Sequence, residues 1–190
     1  MLYRILMIIL WPFFKLYLLF HSVDKPRALP DGKLIICSNH KSWVDPFILA
    51  LSFKKRINFL AKVELFKNKF LAWILKSLGA IPVDRQNIDL KAIKSSVKVL
   101  KEGKYLGIFP EGTRVKEVKK ENIKNGISYI ALKGDSDILP IEIVGEYKLF
   151  GKVRLEFKPI IKIDNYKQID KKEAYSKIAE DVYNSIYSIT

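Results

Sequence analysis

Residues 34–53 of the chain read LIICSNHKSWVDPFILALSF, and the interpretation of the whole sequence starts from this stretch. A short apolar run over 34–38 predicts a buried strand, and a second apolar run over 46–53 predicts a helix. Between them lies His40, five residues before Asp45. An imidazole at a strand end with a carboxylate nearby is the arrangement of a general base and the residue that orients it.

A purely structural interpretation of the same residues is equally open at this point. Asp45 followed by Pro46 also fits a helix N-cap with proline at the first helical position. If His40 acts as a base, backbone N–H groups near the start of this helix are candidates to stabilise an oxyanion. The rest of the chain has to decide between a cap and a catalytic pair.

Composition restricts the partners and cofactors. The 190 residues suit a single domain, and one cysteine excludes an internal disulfide, which favours a reducing compartment. Two histidines and one cysteine show no metal-site spacing, and the glycine-rich phosphate loops are missing, so neither a metal nor a nucleotide cofactor is expected. The net charge of +14 fits an anionic membrane surface or a phosphorylated substrate. No nucleic-acid-binding pattern accompanies the scattered lysines, so nucleic acid is not expected as a partner.

The first twenty residues are almost wholly apolar but are interrupted by Arg4, Pro12 and Lys15. These interruptions favour an interfacial helix lying in one leaflet over a helix that spans the bilayer. A helical hairpin packed on the domain is the structural alternative. No small-residue cleavage site follows, so a secretory signal peptide is not expected. We therefore divide the chain into a membrane-interacting helical segment, 1–30, and a catalytic domain, 31–190.

From residue 33 onward, short apolar runs alternate with helical patterns, which predicts a single α/β domain with a mostly parallel mixed sheet flanked by helices and an antiparallel edge from the last strands. Asn87 is the expected cap of the third helix, and the glycines at 79 and 103 are expected to end helices. The predicted strands cover 34–38, 57–61, 80–83, 105–109, 138–144 and 153–163, and the predicted helices cover 46–53, 64–78, 88–102, 123–133 and 171–189.

Polar side chains follow the first four predicted strands, where an open α/β sheet binds its ligands. They comprise one base, one acid and three cations: His40, Lys62, Arg85, Glu111 and Arg114. Two guanidinium groups and a lysine suit a phosphate. Cys37 is expected in the core, and no serine or cysteine is obviously paired with His40 as a nucleophile. This favours a direct attack of the hydroxyl of a phosphate-bearing alcohol on a carbonyl, without a covalent intermediate on the enzyme.

Four blocks of this sequence, in this order, resemble those of the glycerolipid acyltransferase family, and in particular its bacterial 1-acyl-glycerol-3-phosphate acyltransferases. They are NHKSWVDP at 39–46, GAIPVDR at 79–85, FPEGTR at 109–114 and LPI at 139–141. AKVEL at 61–65 also resembles a recurring stretch between the first two blocks. The likeness covers about residues 30–145, and the order and spacing of the blocks make it more specific than any single motif.

The resemblance implies transfer of a fatty acyl group to the sn-2 hydroxyl of 1-acyl-sn-glycerol 3-phosphate, giving phosphatidic acid for phospholipid synthesis. His40 would be the general base and Asp45 would orient it. The phosphate would be bound by Lys62, Arg85 and Arg114, and the acceptor site shaped by Glu111, Gly112, Thr113 and Arg114. The acyl donor would be acyl-CoA or acyl carrier protein, and the location the cytoplasmic face of the bacterial inner membrane.

Three alternatives remain. After Arg114 the chain continues with Val115 and Lys116, and at 123–126 it keeps only part of the family pattern, so another acceptor such as glycerol 3-phosphate or a different lysophospholipid is possible. A non-catalytic basic lipid-binding protein and a thioester or lipid hydrolase are the other two. For the apolar face of 62–76, core packing is the default expectation, and a second membrane contact or a wall of the acyl channel is the alternative.

Overall fold

The computed structural model describes residues 3, 5, 8, 9, 11, 12, 21–23, 29–87, 89–114, 126–148 and 151–187. Its strands are β1 (His21–Val23), β2 (Leu34–Ser38), β3 (Ile57–Lys62), β4 (Ile81–Val83), β5 (Tyr105–Ile108), β6 (Ile138–Gly145) and β7 (Val153–Phe157). Its helices outside the N-terminal segment are α1 (Asp45–Ser52), α2 (Lys69–Ser77), α3 (Leu90–Lys101), α4 (Gly126–Gly134) and α5 (Lys171–Tyr187). Short 3-10 turns lie at Val63–Phe66 and Ile163–Tyr166.

The described strands form one seven-stranded mixed sheet in the order β1-β7-β6-β2-β5-β3-β4. The five strands from β6 to β4 are parallel, β7 runs antiparallel to β6, and β1 pairs in parallel with β7. This confirms the predicted α/β class and its antiparallel edge. The edge strand β1 was not predicted from the sequence, and its pairing with β7 makes residues 21–23 part of the sheet.

The core lies on both faces of the sheet, and β2 is central to it because it is flanked by β5 and β6. Leu34 and Ile36 belong to a cluster shared with α1, whereas Ile35 and Cys37 belong to one shared with α3, α4 and α5. Such burial on both faces is why the strand is a continuous apolar run. Cys37 is therefore a core residue, as predicted, and burial raises the pKa of its thiol.

Two helices begin later in the chain than predicted. In each of them a polar side chain further along the chain caps the helix. Residues 64–78 form a 3-10 turn and then α2, because the side chain of Asn68 accepts a hydrogen bond from the N–H of Leu71 and starts a new helix there. Helix α3 is capped by Asp89, which accepts from the N–H of Ala92, and not by Asn87.

The last predicted strand was too long. Strand β7 ends at Phe157, and Pro159, which has no N–H, follows two residues later. Only Ile161 returns to the sheet, as an isolated bridge to Ile138. The predicted glycine stop at 79 is confirmed, since Gly79 has a φ of +76° and directly follows the cap of α2.

Most of the predicted membrane-interacting helical segment, 1–30, lies outside the described residues, as do 123–125 and 188–189 of two predicted helices. Within this segment His21–Val23 form strand β1 of the sheet, so these three residues are strand and not helix. Among the residues that are described, no helix has both the length and the apolar character needed to cross a bilayer.

Asn39 extends the pairing of β2 with β6 beyond the last residue of β2. Its buried amide accepts from the N–H of Ile143 at 2.7 Å and donates to the carbonyl of the same residue at 3.0 Å.

We expect Asn39→Ala to lower the free energy of unfolding by about 3 kcal/mol, because it leaves two buried backbone groups without partners. Urea denaturation measures this, with Asn165→Ala at an exposed site as the control; equal stability of the two variants would contradict it.

Candidate active site

The loop between β2 and α1 holds His40 against Asp45. The Nδ1 atom of His40 lies 2.8 Å from Oδ2 of Asp45, and both side chains are buried. The same oxygen accepts hydrogen bonds from the backbone N–H groups of Lys41 and Ser42, each at 2.7 Å. One carboxylate oxygen therefore folds the loop and contacts the imidazole at the same time.

The alternative interpretation of Asp45 as a helix N-cap is wrong. Helix α1 begins at Asp45 itself, Val44 occupies the cap position, and no side chain provides a capping hydrogen bond. The backbone donors to the Asp45 carboxylate, Lys41 and Ser42, precede it in the chain, so it organises the loop and not the helix.

The N–H groups at the start of α1 are also engaged within the protein. Those of Asp45, Phe47 and Ile48 donate to backbone carbonyls, and that of Val44 donates to the hydroxyl of Ser42. This weakens the earlier suggestion that they stabilise an oxyanion.

The imidazole plane is fixed by a stack of aromatic rings. His40 and Phe109 are stacked with their centroids 4.1 Å apart and their planes at 19°, and Phe59 lies behind Phe109 at 5.9 Å. Gly107 in β5 leaves room for Phe59, because a Cβ at this position would come within 2.3 Å of the phenyl ring. When Nδ1 carries the proton shared with Asp45, the lone pair lies on Nε2, which is the form a general base requires.

Glu111 contacts the backbone of His40 from the turn that follows β5. This turn is closed by a hydrogen bond from Gly112 to Phe109 at 3.0 Å, and Gly112 has a φ of +70° that favours glycine. Glu111 is only 3% exposed. Its Oε1 accepts from the N–H of His40 at 3.2 Å and from the hydroxyl of Tyr187, whereas Oε2 has no hydrogen-bond partner among the described residues. Burial raises the pKa of this carboxyl.

Glu64, a carboxylate that was not predicted, interacts with two of the three predicted cations, Lys62 and Arg85. Lys62 pairs with Glu64 at 3.2 Å. Arg85 is half-buried, and its pKa is lowered first by burial and then by the charge of Arg114, with Glu64 acting in the opposite direction. Arg114 and the neighbouring Thr113 are exposed. Two like charges close together on a partly buried surface form a site that a bound anion would stabilise.

An apolar cleft of about 770 Å³ lies beside these groups. It is bounded by α3 and α4 and by the ends of β4 and β5, with Arg85 and Gly112 in its lining. Phe109 lines it too, so one ring is both a wall of the cleft and the stacking partner of His40. The other apolar lining residues include Leu60, Val83, Leu90, Ile93, Ile127 and Ile130. A molecule with an anionic group and an apolar chain fits this arrangement.

Two further contributors to the site, besides Glu64, were missed from the sequence. Tyr147 donates its hydroxyl to Oδ1 of Asp45, and Tyr187 donates to Glu111. Both lie in the part of the chain where no motif was recognised, and an isolated tyrosine carries no signal of this role.

A candidate metal cluster of histidine, cysteine and acidic side chains is absent from the part of the chain that the structure describes.

Comparison with known proteins identifies the family of the chain. A model of the Acyltransferase family matches residues 21–144, which include His40, Asp45, Arg85 and Glu111. The chain belongs to the acyltransferase family. As a member it is an enzyme that transfers acyl groups, which confirms the resemblance found in the sequence.

Individual relatives support the same assignment. The chain is 34% identical over 163 residues to the 1-acyl-sn-glycerol-3-phosphate acyltransferase of Bacillus subtilis, covering 83% of this chain and 81% of the relative. It is also 34% identical over 140 residues to the enzyme of that name from Streptococcus pneumoniae, covering 72% of this chain and 51% of the relative. The crystal structure of a 1-acyl-sn-glycerophosphate acyltransferase from Thermotoga maritima superimposes with a TM-score of 0.66 at 26% identity, over 86% of this chain and 68% of that one.

The buried Glu111 predicts a pH-dependent effect of Glu111→Gln. Because the pKa of Glu111 is raised above its usual 4.5, its stabilising contribution is present below that value and is lost as pH rises through the folded-state pKa. Glutamine keeps the acceptor oxygen and stays neutral. The variant should therefore gain stability relative to the wild type as the pH rises above about 4.5, measured by urea denaturation at a series of pH values.

Glu102→Gln is the matched control, because hydrogen bonding to Lys104 lowers the pKa of exposed Glu102. Its dependence on pH should have the opposite sign. A stability difference for Glu111→Gln that does not change with pH would contradict the prediction.

Proposed function

We propose that this protein transfers a fatty acyl group from an acyl thioester to the sn-2 hydroxyl of 1-acyl-sn-glycerol 3-phosphate, giving phosphatidic acid for phospholipid synthesis. The observation that carries the proposal is the buried His40–Asp45 pair at 2.8 Å beside an apolar cleft that Arg85 lines. The relatives from Bacillus subtilis and Streptococcus pneumoniae carry the name of this activity, which supports the choice of acceptor.

In this mechanism His40 acts as the general base. Asp45 accepts the hydrogen bond from Nδ1–H, and Nε2 removes the proton of the acceptor hydroxyl as its oxygen attacks the thioester carbonyl. The tetrahedral intermediate then loses the thiolate as the C–S bond breaks, and the proton held by His40 neutralises the thiolate. A thiol with a pKa of about 8.5 is a good leaving group, so no strong general acid is required. Acyl-CoA or acyl carrier protein is the co-substrate, with no further cofactor.

The acceptor phosphate is bound by Arg85, Arg114 and Lys62 in this proposal. The charge of Arg114, which contributes to lowering the pKa of Arg85, supports it, because a dianion between the two side chains would offset their repulsion and accept hydrogen bonds from both. Gly112 and the exposed Thr113 border the same site, and the single acyl chain of the acceptor would follow the apolar cleft that starts beside Arg85.

Replacing the base should abolish transfer. We expect His40→Ala to lower kcat by at least about 1,000-fold, because a positioned general base contributes on this order. Acyl transfer from a labelled thioester measures it. The natural control is His21→Ala, which changes the other histidine of the chain and should remain active. Transfer at the wild-type rate by folded His40→Ala would overturn the assignment of the base.

Removing Arg85 should weaken acceptor binding. We expect Arg85→Ala to raise KM for the phosphorylated acceptor about 10- to 100-fold, since a hydrogen bond to a charged group contributes about 1.5–3 kcal/mol. The control Arg154→Ala removes an exposed arginine that pairs with Glu156 on β7, away from the cleft. A fall in kcat with unaltered KM would count against the phosphate role.

A panel of acceptors separates the activities closest to the proposed one. The purified protein is given a thioester donor with 1-acyl-sn-glycerol 3-phosphate, glycerol 3-phosphate, another lysophospholipid or no acceptor. Preference for the first supports the proposal, and preference for another acceptor redirects it within the family. Release of fatty acid without an acceptor indicates a hydrolase.

We further propose that the protein works on an anionic membrane surface, at the cytoplasmic face of the bacterial inner membrane. The expected core packing of the apolar face of 62–76 is only partial, because Ala72 is the one buried residue of α2 and Leu71, Ile74 and Leu75 are half-buried. Phe70 and Trp73 are 70% and 57% exposed and stack on each other at 6.4 Å. Lys67, Lys69 and Lys76 border them. Aromatic side chains among lysines match the headgroup region of an anionic bilayer.

Other exposed apolar residues fit the same surface. Trp43 follows β2 and Leu65 follows β3, so both lie at the edge of the sheet that carries the site. Ile8 and Ile9 of the N-terminal segment are exposed as well. The site would then open towards the lipid from which its acceptor comes.

Reversing charges tests this surface. Lys67→Glu with Lys69→Glu should weaken binding to phosphatidylglycerol vesicles roughly 10-fold or more, because each lysine near an anionic surface contributes about 1 kcal/mol. Co-sedimentation with vesicles measures it, and Lys171→Glu with Lys172→Glu at the exposed start of α5 is the matched control. Equal losses in both double variants would indicate a non-specific effect of net charge.

A further inference from the structure

Two tyrosine hydroxyls reach the site from beyond the segment that matches the family. The match ends at residue 144, whereas Tyr147 lies between β6 and β7 and Tyr187 lies at the end of α5. Tyr147 donates to Asp45 and Tyr187 to Glu111. The two carboxylates that contact His40 are thus each held by a tyrosine that no sequence block includes.

Tyr147 completes the hydrogen bonding of Asp45. The Oδ2 atom contacts the imidazole and the N–H groups of Lys41 and Ser42, so Oδ1 depends on the hydroxyl of Tyr147. Asp45 is fully buried, so water does not replace a lost donor easily. A donor on Oδ1 also draws negative charge away from Oδ2, and so sets how strongly the carboxylate stabilises a protonated imidazole.

Tyr187 acts on the other contact of His40. Its hydroxyl and the N–H of His40 donate to the same oxygen, Oε1 of Glu111. Losing the tyrosine donor would release the carboxylate that fixes the backbone of His40. Burial raises the pKa of the hydroxyls of Tyr147 and Tyr187, which keeps both as donors.

The two tyrosines belong to opposite layers of the protein. The ring of Tyr147 packs against the cluster shared with α1, and that of Tyr187 packs against the cluster shared with α3, α4 and α5. His40 is therefore held at its ring from one face of the sheet and at its backbone from the other.

We propose that Tyr147 and Tyr187 are positioning residues that orient His40 through Asp45 and Glu111. The catalytic part of this inference rests on the proposed function. The hydrogen bonds themselves are testable without activity, by NMR of the full chain.

For Tyr147→Phe we expect kcat to fall about tenfold with little change in KM, and the acidic limb of its pH dependence to move to higher pH. The reason is that Asp45 without this donor stabilises the protonated imidazole more strongly. The ionisable groups around His40 are Asp45 from α1, Tyr147 itself, Glu111 after β5 and Tyr187 from α5, with Cys37 near Glu111.

The readout that needs no activity is the titration of the His40 ring followed by NMR, with His21→Gln in the background to leave a single histidine. Its midpoint should move upward in Tyr147→Phe. Tyr166→Phe is the control, because the Tyr166 hydroxyl donates to Asp181 at 2.6 Å away from the site. An unchanged midpoint in folded Tyr147→Phe would overturn the role of Tyr147.

For Tyr187→Phe we expect faster hydrogen exchange at the amide of His40, by about tenfold, and a similar fall in kcat. Thermal denaturation of each variant separates these effects from loss of the fold. Exchange at His40 equal to that in Tyr166→Phe would overturn the role of Tyr187. If the wild-type protein transfers no acyl group, the proposed function fails, and the NMR titration and the exchange still decide whether the tyrosines hold the histidine.

Discussion

The structure of the site depends on a single buried carboxylate. Asp45 accepts hydrogen bonds from the imidazole of His40 and from two backbone N–H groups of the loop that carries it. A buried charge is stable only when it is well supplied with donors, so the loop, the ring and the carboxylate form together or not at all. The carboxylate that folds residues 39–45 is consequently the same group that orients the base.

The parallel sheet explains why residues far apart in sequence meet. Strands β2, β3, β4 and β5 run in the same direction, so the residues at or just beyond their carboxyl ends lie along one edge: His40, Lys62, Arg85 and Glu111. Phe109 then joins the two halves of the site, because it stacks on His40 and lines the cleft beside Arg85. The proposed acyl transfer to a phosphorylated acceptor needs a base, an anion site and an apolar cleft that lie close to one another.

The sequence predicted what repeats along the chain and missed what depends on a single side chain. The alternation of short apolar runs with helical patterns located β2 to β6 and predicted a mostly parallel sheet. These strands were visible in the sequence because burial on both faces makes each of them a continuous apolar run. The cap of α3 was assigned to Asn87 although Asp89 forms it, because both residue types suit a cap and only the fold decides between them. Tyr147 and Tyr187 could not be found, because their partners lie 102 and 76 residues away and no periodicity reports such contacts. Glu64 was overlooked beside Lys62 for a related reason, since a nearby opposite charge is common on any surface.

Ala72 is the one buried residue of helix α2, and the nine residues of this helix are fewer than an isolated helix needs to be stable in water. If its exposed aromatic face enters the headgroup region of a bilayer, the lipid binds the folded helix and not the unfolded segment. By mass action the membrane then acts as a ligand of the folded helix, and it raises the local stability of this element by an amount that grows with the logarithm of the binding constant. Helix α2 would then be most ordered where the protein meets the lipid.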